Sequence, residues 1–572
     1  TILESCILDI IGYKDYIENI KESIKIRFKK KGESVINANL NAVDESLSYL
    51  KEIKIKYNDI EFIETKEKKY NKVFDMVSFL EGNKLSVSDF LTYKDGSYIT
   101  GTTEHEKRGI AENVPVWDKD KCIQCNQCSF VCPHAVIRPY LLNDEELEKA
   151  PKFIKENVRN AIGSKYKYTM GISKLDCTGC SLCANICPSH ALTMTPFDDV
   201  SSNKGFEYLL NKVSEKKEQI NNTVKGTQYK KPLFEFSGAC AGCGETPYIK
   251  LLTQMFGDKI TIANATGCSS IYGASFPSIP YKLPWANSLF EDNAEFGYGM
   301  LLSYNSNRRL IKTIMESEMD GVNKEYFSKW LNNYDDYEIT REVYENIDYS
   351  KTKLKDLKEF IIARNIWTIG GDGWAYDIGY SGIDHASSTN DNVKILVLDT
   401  EVYSNTGGQS SKSSNRGSIA KFTSGGKENA KKDLARILMC YPNVYVAQVS
   451  MANMNAVIKA FNEADKHDGP AIVIAYAPCI NHGIKGGMET MIEEQKLAVS
   501  SGYYPIFRYN AKTKEFHLDM KEPDFTLLDK FIENETRFNA LKIVNEEKAN
   551  ELFEKLKIDA KNRYEYYKNL ES

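Results

Sequence analysis

Two cysteine runs repeat one spacing, and together they constrain the fold more than any other feature of the chain. The first is Cys122-x2-Cys125-x2-Cys128-x3-Cys132, followed by Pro133. The second is Cys177-x2-Cys180-x2-Cys183-x3-Cys187, followed by Pro188. Three thiolates at two-residue intervals with a fourth before proline is a spacing that holds 4Fe-4S clusters. In chains with two such runs, the fourth cysteine of each ligates the other cluster. One cluster is therefore expected on Cys122, Cys125, Cys128 and Cys187, and another on Cys177, Cys180, Cys183 and Cys132. A structural zinc module is the competing reading, but zinc sites group thiolates in pairs with a longer gap between the pairs. A disulfide framework suits short secreted chains, and no secretion signal is visible here.

At 572 residues, about two to four domains are expected. The net charge of −5 leaves no electrostatic footprint for nucleic acid. No apolar run approaches the roughly 18 residues that a membrane span needs. Cluster-bearing thiols point to a reducing, anaerobic interior, so a cytoplasmic location is expected. The first residue is Thr1, and Ile2, Leu3, Cys6, Ile7 and Leu8 already run in an apolar pattern. The chain therefore reads as part of a longer polypeptide. Cys6 and Cys440 match no pattern and read as buried, inert residues.

Residues 1–80 are Lys- and Glu-rich with helical apolar spacing at Ile17, Ile24, Val35 and Leu40. Asp144–Arg159 reads as a charged helical insertion between the cysteine runs, and 201–231 as a linker or surface helix. From Pro232 to about residue 505 the pattern becomes α/β. Strands are expected over Ile361–Ile369, Val393–Leu398, Val444–Val449 and Ala471–Tyr476, with a helix over Met454–His467. Asn534–Ser572 reads as an amphipathic helix. Such alternation implies a doubly wound parallel sheet with ligands at the strand C-terminal ends. The fold class expected is thus α/β, with an α+β two-cluster domain beside it.

Two further constellations carry chemistry. Cys240 and Cys243 sit in Ser237-Gly-Ala-Cys-Ala-Gly-Cys-Gly-Glu-Thr-Pro-Tyr248, Cys268 in Thr266-Gly-Cys-Ser-Ser270, and Cys479 in Tyr476-Ala-Pro-Cys-Ile-Asn-His-Gly483. These four thiolates could close a third cluster. On spacing alone, a redox pair or a zinc site with two core cysteines is an equal reading. Gly371-Asp372-Gly373 ends one strand, and Leu398-Asp-Thr-Glu-Val-Tyr-Ser-Asn-Thr-Gly-Gly-Gln409 ends the next. A diphosphate needs backbone N–H groups at close range, which glycines permit, and Mg²⁺ held by protein oxygens. Asp372 offers a carboxylate, and Thr400 and the Val402 carbonyl lie where the chain returns to the same ion. This arrangement is similar to the thiamine diphosphate motif, although Thr400 stands where that motif usually has Asn. A nicotinamide site would need G-x-G-x-x-G after a strand, which is missing here.

Taken together these residues resemble pyruvate:ferredoxin oxidoreductase. The resemblance rests on Cys122–His134, on Gly101-Thr-Thr with Glu106-Lys-Arg-Gly-Ile-Ala111, on Phe236–Tyr248, on Gly371–Gly379 and on Glu401–Gln409. It runs from near Thr1 to Tyr564-Glu-Tyr-Tyr-Lys568. It implies three 4Fe-4S clusters, the third on Cys240, Cys243, Cys268 and Cys479, with thiamine diphosphate and Mg²⁺ bound by Asp372, Thr400 and Val402. Gly371, Gly373 and Glu245 would approach the cofactor, and Asn405 would lie at its reactive ring. The implied reaction converts pyruvate, CoA and oxidised ferredoxin or flavodoxin to acetyl-CoA, CO₂ and the reduced carrier. The implied domains are the end of a gamma-like domain (1–40), a small Glu-Lys-Arg domain (41–115), a two-cluster domain (116–200) and a thiamine diphosphate domain (201–572).

The resemblance further implies a missing N-terminal half that supplies the activating glutamate and most of the 2-oxo acid pocket. It implies a homodimer of the full-length enzyme, cytoplasmic or, in an anaerobic eukaryote, hydrogenosomal. The absence of a flavodoxin-like extension after the tail speaks against the related NADP-linked fusion enzymes. Three alternatives stand beside this reading. One is an oxidoreductase for another 2-oxo acid. Another is a pure electron-transfer subunit with no use for Asp372 or Cys479, and the last is a non-functional truncation product. His482 reads as a packed or hydrogen-bonded loop residue before a proton donor, and Trp367 and Trp374 as core before cofactor contacts.

Overall fold

The computed structural model describes residues 2–29, 32–52, 70–197 and 203–571. The chain forms two compact units, Thr1–Lys69 and Tyr70–Ser572. In the first, the helices Ile2–Ile10, Ile17–Phe28 and Glu33–Ser48 bury Ile17, Ile24 and Val43 against Leu8, Leu40 and Leu47. These residues recur at helical spacing, which is why one stripe of each helix is apolar. Val35 is only half-buried, and its neighbour Ile36 faces inward instead. The domain boundary expected at 40/41 falls inside the helix Glu33–Ser48, whose Leu40, Val43 and Leu47 belong to one core. Part of the expected Glu-Lys-Arg domain (53–69) and the boundary at 200/201 lie outside the described residues.

The second unit is built on an eight-stranded sheet. Its strands are β6 (Ile260–Ala265), β7 (Trp285–Ser288), β8 (Asn365–Gly371), β9 (Lys394–Asp399), β10 (Tyr445–Val449), β11 (Ala471–Tyr476), β12 (Phe507–Asn510) and β13 (Glu515–Leu518). Their order is β13-β12-β10-β11-β9-β8-β6-β7, parallel from β10 to β7 and antiparallel at the β12–β13 edge. Central strands buried on both faces explain the unbroken apolar runs. Ile395 and Val397 pack beneath the helices Asn293–Ser317 and Tyr380–Ser388. Leu396 and Leu398 pack toward Thr246–Phe256 and Met454–Lys466. Because β11, β9, β8 and β6 are adjacent and parallel, the loops carrying Cys479, Thr400, Asp372 and Cys268 leave the same edge of the sheet.

The cysteine runs sit on a two-stranded sheet, β1 (Asn113–Trp117) with β5 (Leu192–Pro196), and a three-stranded one, β2 (Ile137–Leu142), β4 (Lys167–Ile172) and β3 (Arg159–Asn160). Their core is continuous with that of the large sheet: Cys128, Cys132, Cys177 and Cys183 share a cluster with Tyr248, Leu251 and Ile262. The Gly101-Thr-Thr run and the Glu106-Lys-Arg stretch tie the two together. Thr102 Oγ1 donates to Pro277 O and accepts from Ile279 N, Thr103 Oγ1 donates to Glu235 O, and Lys107 pairs with Asp176 at 2.6 Å. Glu235 is fully buried between Arg138 and Lys282. Burial alone pushes its carboxyl up, but Arg138 and then Lys282 outweigh it and hold it at about 2. An Arg138→Leu variant leaves that buried charge half-compensated and loses about 3–5 kcal/mol of stability, readable as a lower melting temperature.

Several expected elements begin or break elsewhere. β8 starts at Asn365 rather than Ile361, because the Ile361 carbonyl is taken by Arg308 and Trp330 at 2.8 Å each. The helix expected over Asp144–Arg159 is two short ones, Asp144–Glu148 and Lys152–Glu156, followed by β3. Pro151, which has no N–H to continue the first, stands at the start of the second. The tail helix divides into Thr536–Val544 and Glu546–Lys568, where Asn545 caps the second through Lys548 N. Among the described residues no helix is long and apolar enough to cross a membrane.

Candidate functional site

The two cysteine runs are conformational copies. Gln124, Asn126 and Ala135 in the first run have φ of 57°, 61° and 55°. Gly179, Ser181 and His190, at the equivalent places of the second, have 69°, 63° and 49°. Left-handed backbone at the same three positions turns the amides of each loop inward. Gln124 N lies 3.4 Å from Cys122 Sγ, and Gly179 N lies 3.4 Å from Cys177 Sγ. Cys122, Cys125, Cys128 and Cys187 line one small cavity with Trp117 and Tyr168. Burial pushes the Cys177 thiol up to about 12 and that of Cys180 to about 11, and in both the neighbouring Cys132 adds to the shift. The runs thus exchange their fourth cysteines in space. Among the described residues no three His, Cys, Asp or Glu side chains converge on one point as ligands of a single ion would. Protonated thiols facing one another in a buried loop are poorly satisfied, and a thiolate-bound cluster suits them.

Cys240, Cys243, Cys268 and Cys479 line a cavity of about 170 Å³. They come from the loop before the helix Thr246–Phe256, the end of β6 and the end of β11. The Cys243 loop lies directly on the Cys479 loop, since a Cβ on Gly244 would meet Pro478 O at 2.4 Å. Gly244→Ala therefore forces the two loops apart, at a cost of about 1–3 kcal/mol. For a cluster held by these four thiolates, the expected result is loss of its iron alone, read by iron content and electron paramagnetic resonance. Beside it, Gly371, Asp372, Gly373, Thr400, Val402 and Asn405 line a second cavity of about 120 Å³ with Trp374 and Phe290. Glu245, Cys268, Thr400, Ser404 and Asn405 belong to both walls.

In this second cavity Thr400 Oγ1 lies 3.0 Å from Asp372 Oδ1 and 3.0 Å from the Val402 carbonyl oxygen. Asp372 Oδ2 is buried with no hydrogen-bond partner. Burial, reinforced by the charge of Asp399, pushes the Asp372 carboxyl well above the usual range. A buried, unsatisfied carboxylate beside a hydroxyl and a carbonyl is what a divalent cation corrects, so the residues fit Mg²⁺. A Cβ on Gly373 would meet the Tyr403 ring at 2.4 Å, so only glycine lets the backbone approach there. A π-helical turn, Gly373–Asp377, follows at once. Glu245 is held up at about 7 by burial, although the Tyr272 hydroxyl donates to it at 2.9 Å.

Glu401, between the two ligand residues, has φ 59°, rare for a non-glycine residue. Its carboxylate accepts from Asn415 at 2.7 Å, Lys431 at 2.8 Å and Tyr503 at 2.6 Å, and it pairs with Arg537 at 2.8 Å. Burial alone would raise it, but Lys431 and Arg537 hold it well below the ordinary range. This anchor was invisible in the sequence, because Lys431, Tyr503 and Arg537 come from distant segments with no spacing rule. His482 is buried, its Nε2 2.7 Å from the Thr400 carbonyl oxygen and its Nδ1 3.5 Å from Glu535 Oε1, as a hydrogen-bonded loop residue should be. Trp367 is core, stacked on Phe256, and Trp374 is core as well, 1% exposed, while one side of it also lines the cavity. Cys440 is exposed and Cys6 half-buried; neither is the buried residue expected. Cys440 fails because its helical turn, Leu434–Leu438, has just ended at the surface.

The second and third sets of sulfurs are neighbours. His134 lies between the second and third, its Nε2 2.9 Å from Ala239 O and its Nδ1 3.3 Å from Thr178 Oγ1. Ile123, in the loop of the first set, is 52% exposed, so that loop reaches solvent.

Fold and site define a class: a thiamine-diphosphate-type α/β domain joined to a 4Fe-4S domain. Residues 357–475 match the thiamine pyrophosphate enzyme, C-terminal TPP binding domain family, and residues 114–137 a 4Fe-4S binding domain family. Residues 67–111 match the EKR family, described as a domain of unknown function. The chain is 45% identical to the pyruvate:ferredoxin oxidoreductase of Moorella thermoacetica, over 99% of this chain and 52% of that one. It is 42% identical to the pyruvate-flavodoxin oxidoreductase of Enterobacter agglomerans, over 99% of this chain and 51% of that one. A pyruvate dehydrogenase (NADP+) of Cryptosporidium parvum is 38% identical over 97% of this chain and 34% of its own length. The chain is therefore a homologue of the pyruvate:ferredoxin and pyruvate-flavodoxin oxidoreductases and spans about half the length of these two relatives.

Proposed function

We propose that this chain is the cofactor-binding and electron-carrying portion of a pyruvate:ferredoxin or pyruvate-flavodoxin oxidoreductase. It would hold thiamine diphosphate, Mg²⁺ and three 4Fe-4S clusters, with the rest of the enzyme supplying most of the 2-oxo acid pocket. The observation that carries the reading is the wall shared by the two cavities: Glu245, Cys268, Thr400, Ser404 and Asn405 face both. A pure electron-transfer subunit has no use for such a wall. Bound thiamine diphosphate supplies the nucleophilic carbon and the electron sink for decarboxylating a 2-oxo acid.

The chain's own residues would do the rest. Asp372, Thr400 and the Val402 carbonyl would hold the cation, and Gly371 and Gly373 would admit the diphosphate. Glu245, near neutrality in its buried position, is placed to hold or release a proton beside the cofactor. Cys268, on both walls, would put a cluster against the cofactor, so that electrons need not cross a layer of protein.

Viologen reduction by the anaerobically purified chain, with thiamine diphosphate, Mg²⁺, CoA and pyruvate, tests the reading, with other 2-oxo acids as controls. Activity recovered only when the remainder of the enzyme is added is the expected result. Failure to bind thiamine diphosphate by calorimetry would leave the electron-transfer subunit as the better reading.

A further inference from the structure

The helix Thr246–Phe256 starts just after Cys243 and carries Lys250, whose side chain is almost wholly buried. Lys250 Nζ donates to the carbonyl oxygens of Ser129, Phe130 (2.9 Å) and Cys132 (3.2 Å). Three N–H donors on one side-chain nitrogen belong to an ammonium. The chargeable groups that face it are Cys132, Arg138 and Cys128, and none is a carboxylate. Arg138 is itself paired with Glu235. A buried ammonium without a counter-charge is unfavourable, so something else must balance it.

Two of these carbonyls lie between Cys128 and Cys132 and the third is that of Cys132 itself; the two cysteines are assigned to different clusters by the exchange of fourth cysteines. A 4Fe-4S core bound by four thiolates is anionic, and reduction makes it more so. A fixed positive charge nearby therefore favours the reduced form, and net charge is among the quantities that set such potentials. We propose that Lys250 is the shared counter-ion of the two clusters held by the cysteine runs and raises the reduction potential of both. This rests on the cluster assignment proposed above. It gives the helix Thr246–Phe256 a second task, since it leaves the third cluster at one end and charges the other two from its middle.

A lysine that merely caps the helix Gln127–Val131 would affect stability and leave potentials alone. Lys250→Gln keeps hydrogen-bond donors and removes the charge, and Lys250→Arg keeps both. In a redox titration of the anaerobically purified chain followed by electron paramagnetic resonance, Lys250→Gln makes both clusters at least about tenfold harder to reduce. For a one-electron couple that is about 59 mV. The third cluster moves less, and Lys250→Arg restores the original values. Unchanged potentials in a Gln variant of normal iron content would overturn the proposal. Clusters lost from Lys250→Gln but kept in Lys250→Arg also support it, whereas loss from both makes Lys250 a packing residue and overturns it. A chain with no 4Fe-4S signal before any substitution would sink the cofactor assignment instead.

Discussion

On the function proposed above, pyruvate- and CoA-dependent viologen reduction falls by more than about 100-fold in a Cys479→Ala variant of the full enzyme, while CO₂ release persists. Changes in the shell around a metal centre already cost 10–100-fold, and Cys479 is proposed as a ligand. The cysteine stands at the end of β11, where its loop closes the cavity formed with Cys240, Cys243 and Cys268. The cation site, by contrast, is built from the ends of β8 and β9 and does not use this side chain. Decarboxylation and electron removal therefore separate in this variant. Iron per chain drops by about a third, as the proposed count of three clusters requires, while the pair proposed on the cysteine runs keeps its signal. Electron transfer at the parental rate would show that Cys479 is no ligand.

Asp372→Asn has the opposite signature in the two states of the protein. With cofactor, affinity for thiamine diphosphate and Mg²⁺ falls by at least about 100-fold, because the one carboxylate among the converging oxygens is gone. Without cofactor, the variant is more stable. The folded environment raises the Asp372 carboxyl through burial and then Asp399. A carboxyl raised on folding opposes folding at every pH above its unfolded value, and a neutral amide removes that opposition. About 1–3 kcal/mol is at stake, the usual cost of one unsatisfied buried polar group. Calorimetric titration and melting of the cofactor-free protein measure the two halves separately. A lower melting temperature without cofactor would contradict the role assigned to the unpartnered oxygen.

The chemistry was more legible in the sequence than the architecture that brings it together. Cysteine spacing alone paired Cys132 with the second run and Cys187 with the first, because thiolate geometry leaves few ways to wrap a cluster. The apolar runs of β9 and β11 were legible for a similar reason: strands buried on both faces have no alternation to confuse them. Which strands stand side by side was not legible. β11 inserts between β10 and β9, and that exchange sets Cys479 next to Thr400 and lets two cavities share a wall. Glu401 was in plain view within its motif. Its partners Lys431, Tyr503 and Arg537 were chosen by three-dimensional packing, which leaves no periodic trace. The start of β8 was misplaced because Ile361 and Ile362 look like strand residues, while tertiary hydrogen bonds from Arg308 and Trp330 claim the Ile361 carbonyl and one from the Tyr304 hydroxyl claims that of Ile362.

The matching left-handed turns of the two cysteine loops have a consequence for direction. Two cradles with the same backbone turns present similar amide dipoles to their contents, so the backbone makes neither the deeper well. As far as the backbone sets it, an electron passed between clusters in these cradles would meet a level path, and side chains, charges and solvent decide where it rests. A level path works equally well both ways. Under the function proposed above, such a chain would release electrons from a 2-oxo acid or deliver them toward its synthesis, with the choice left to the concentrations of reactants and carriers at either end.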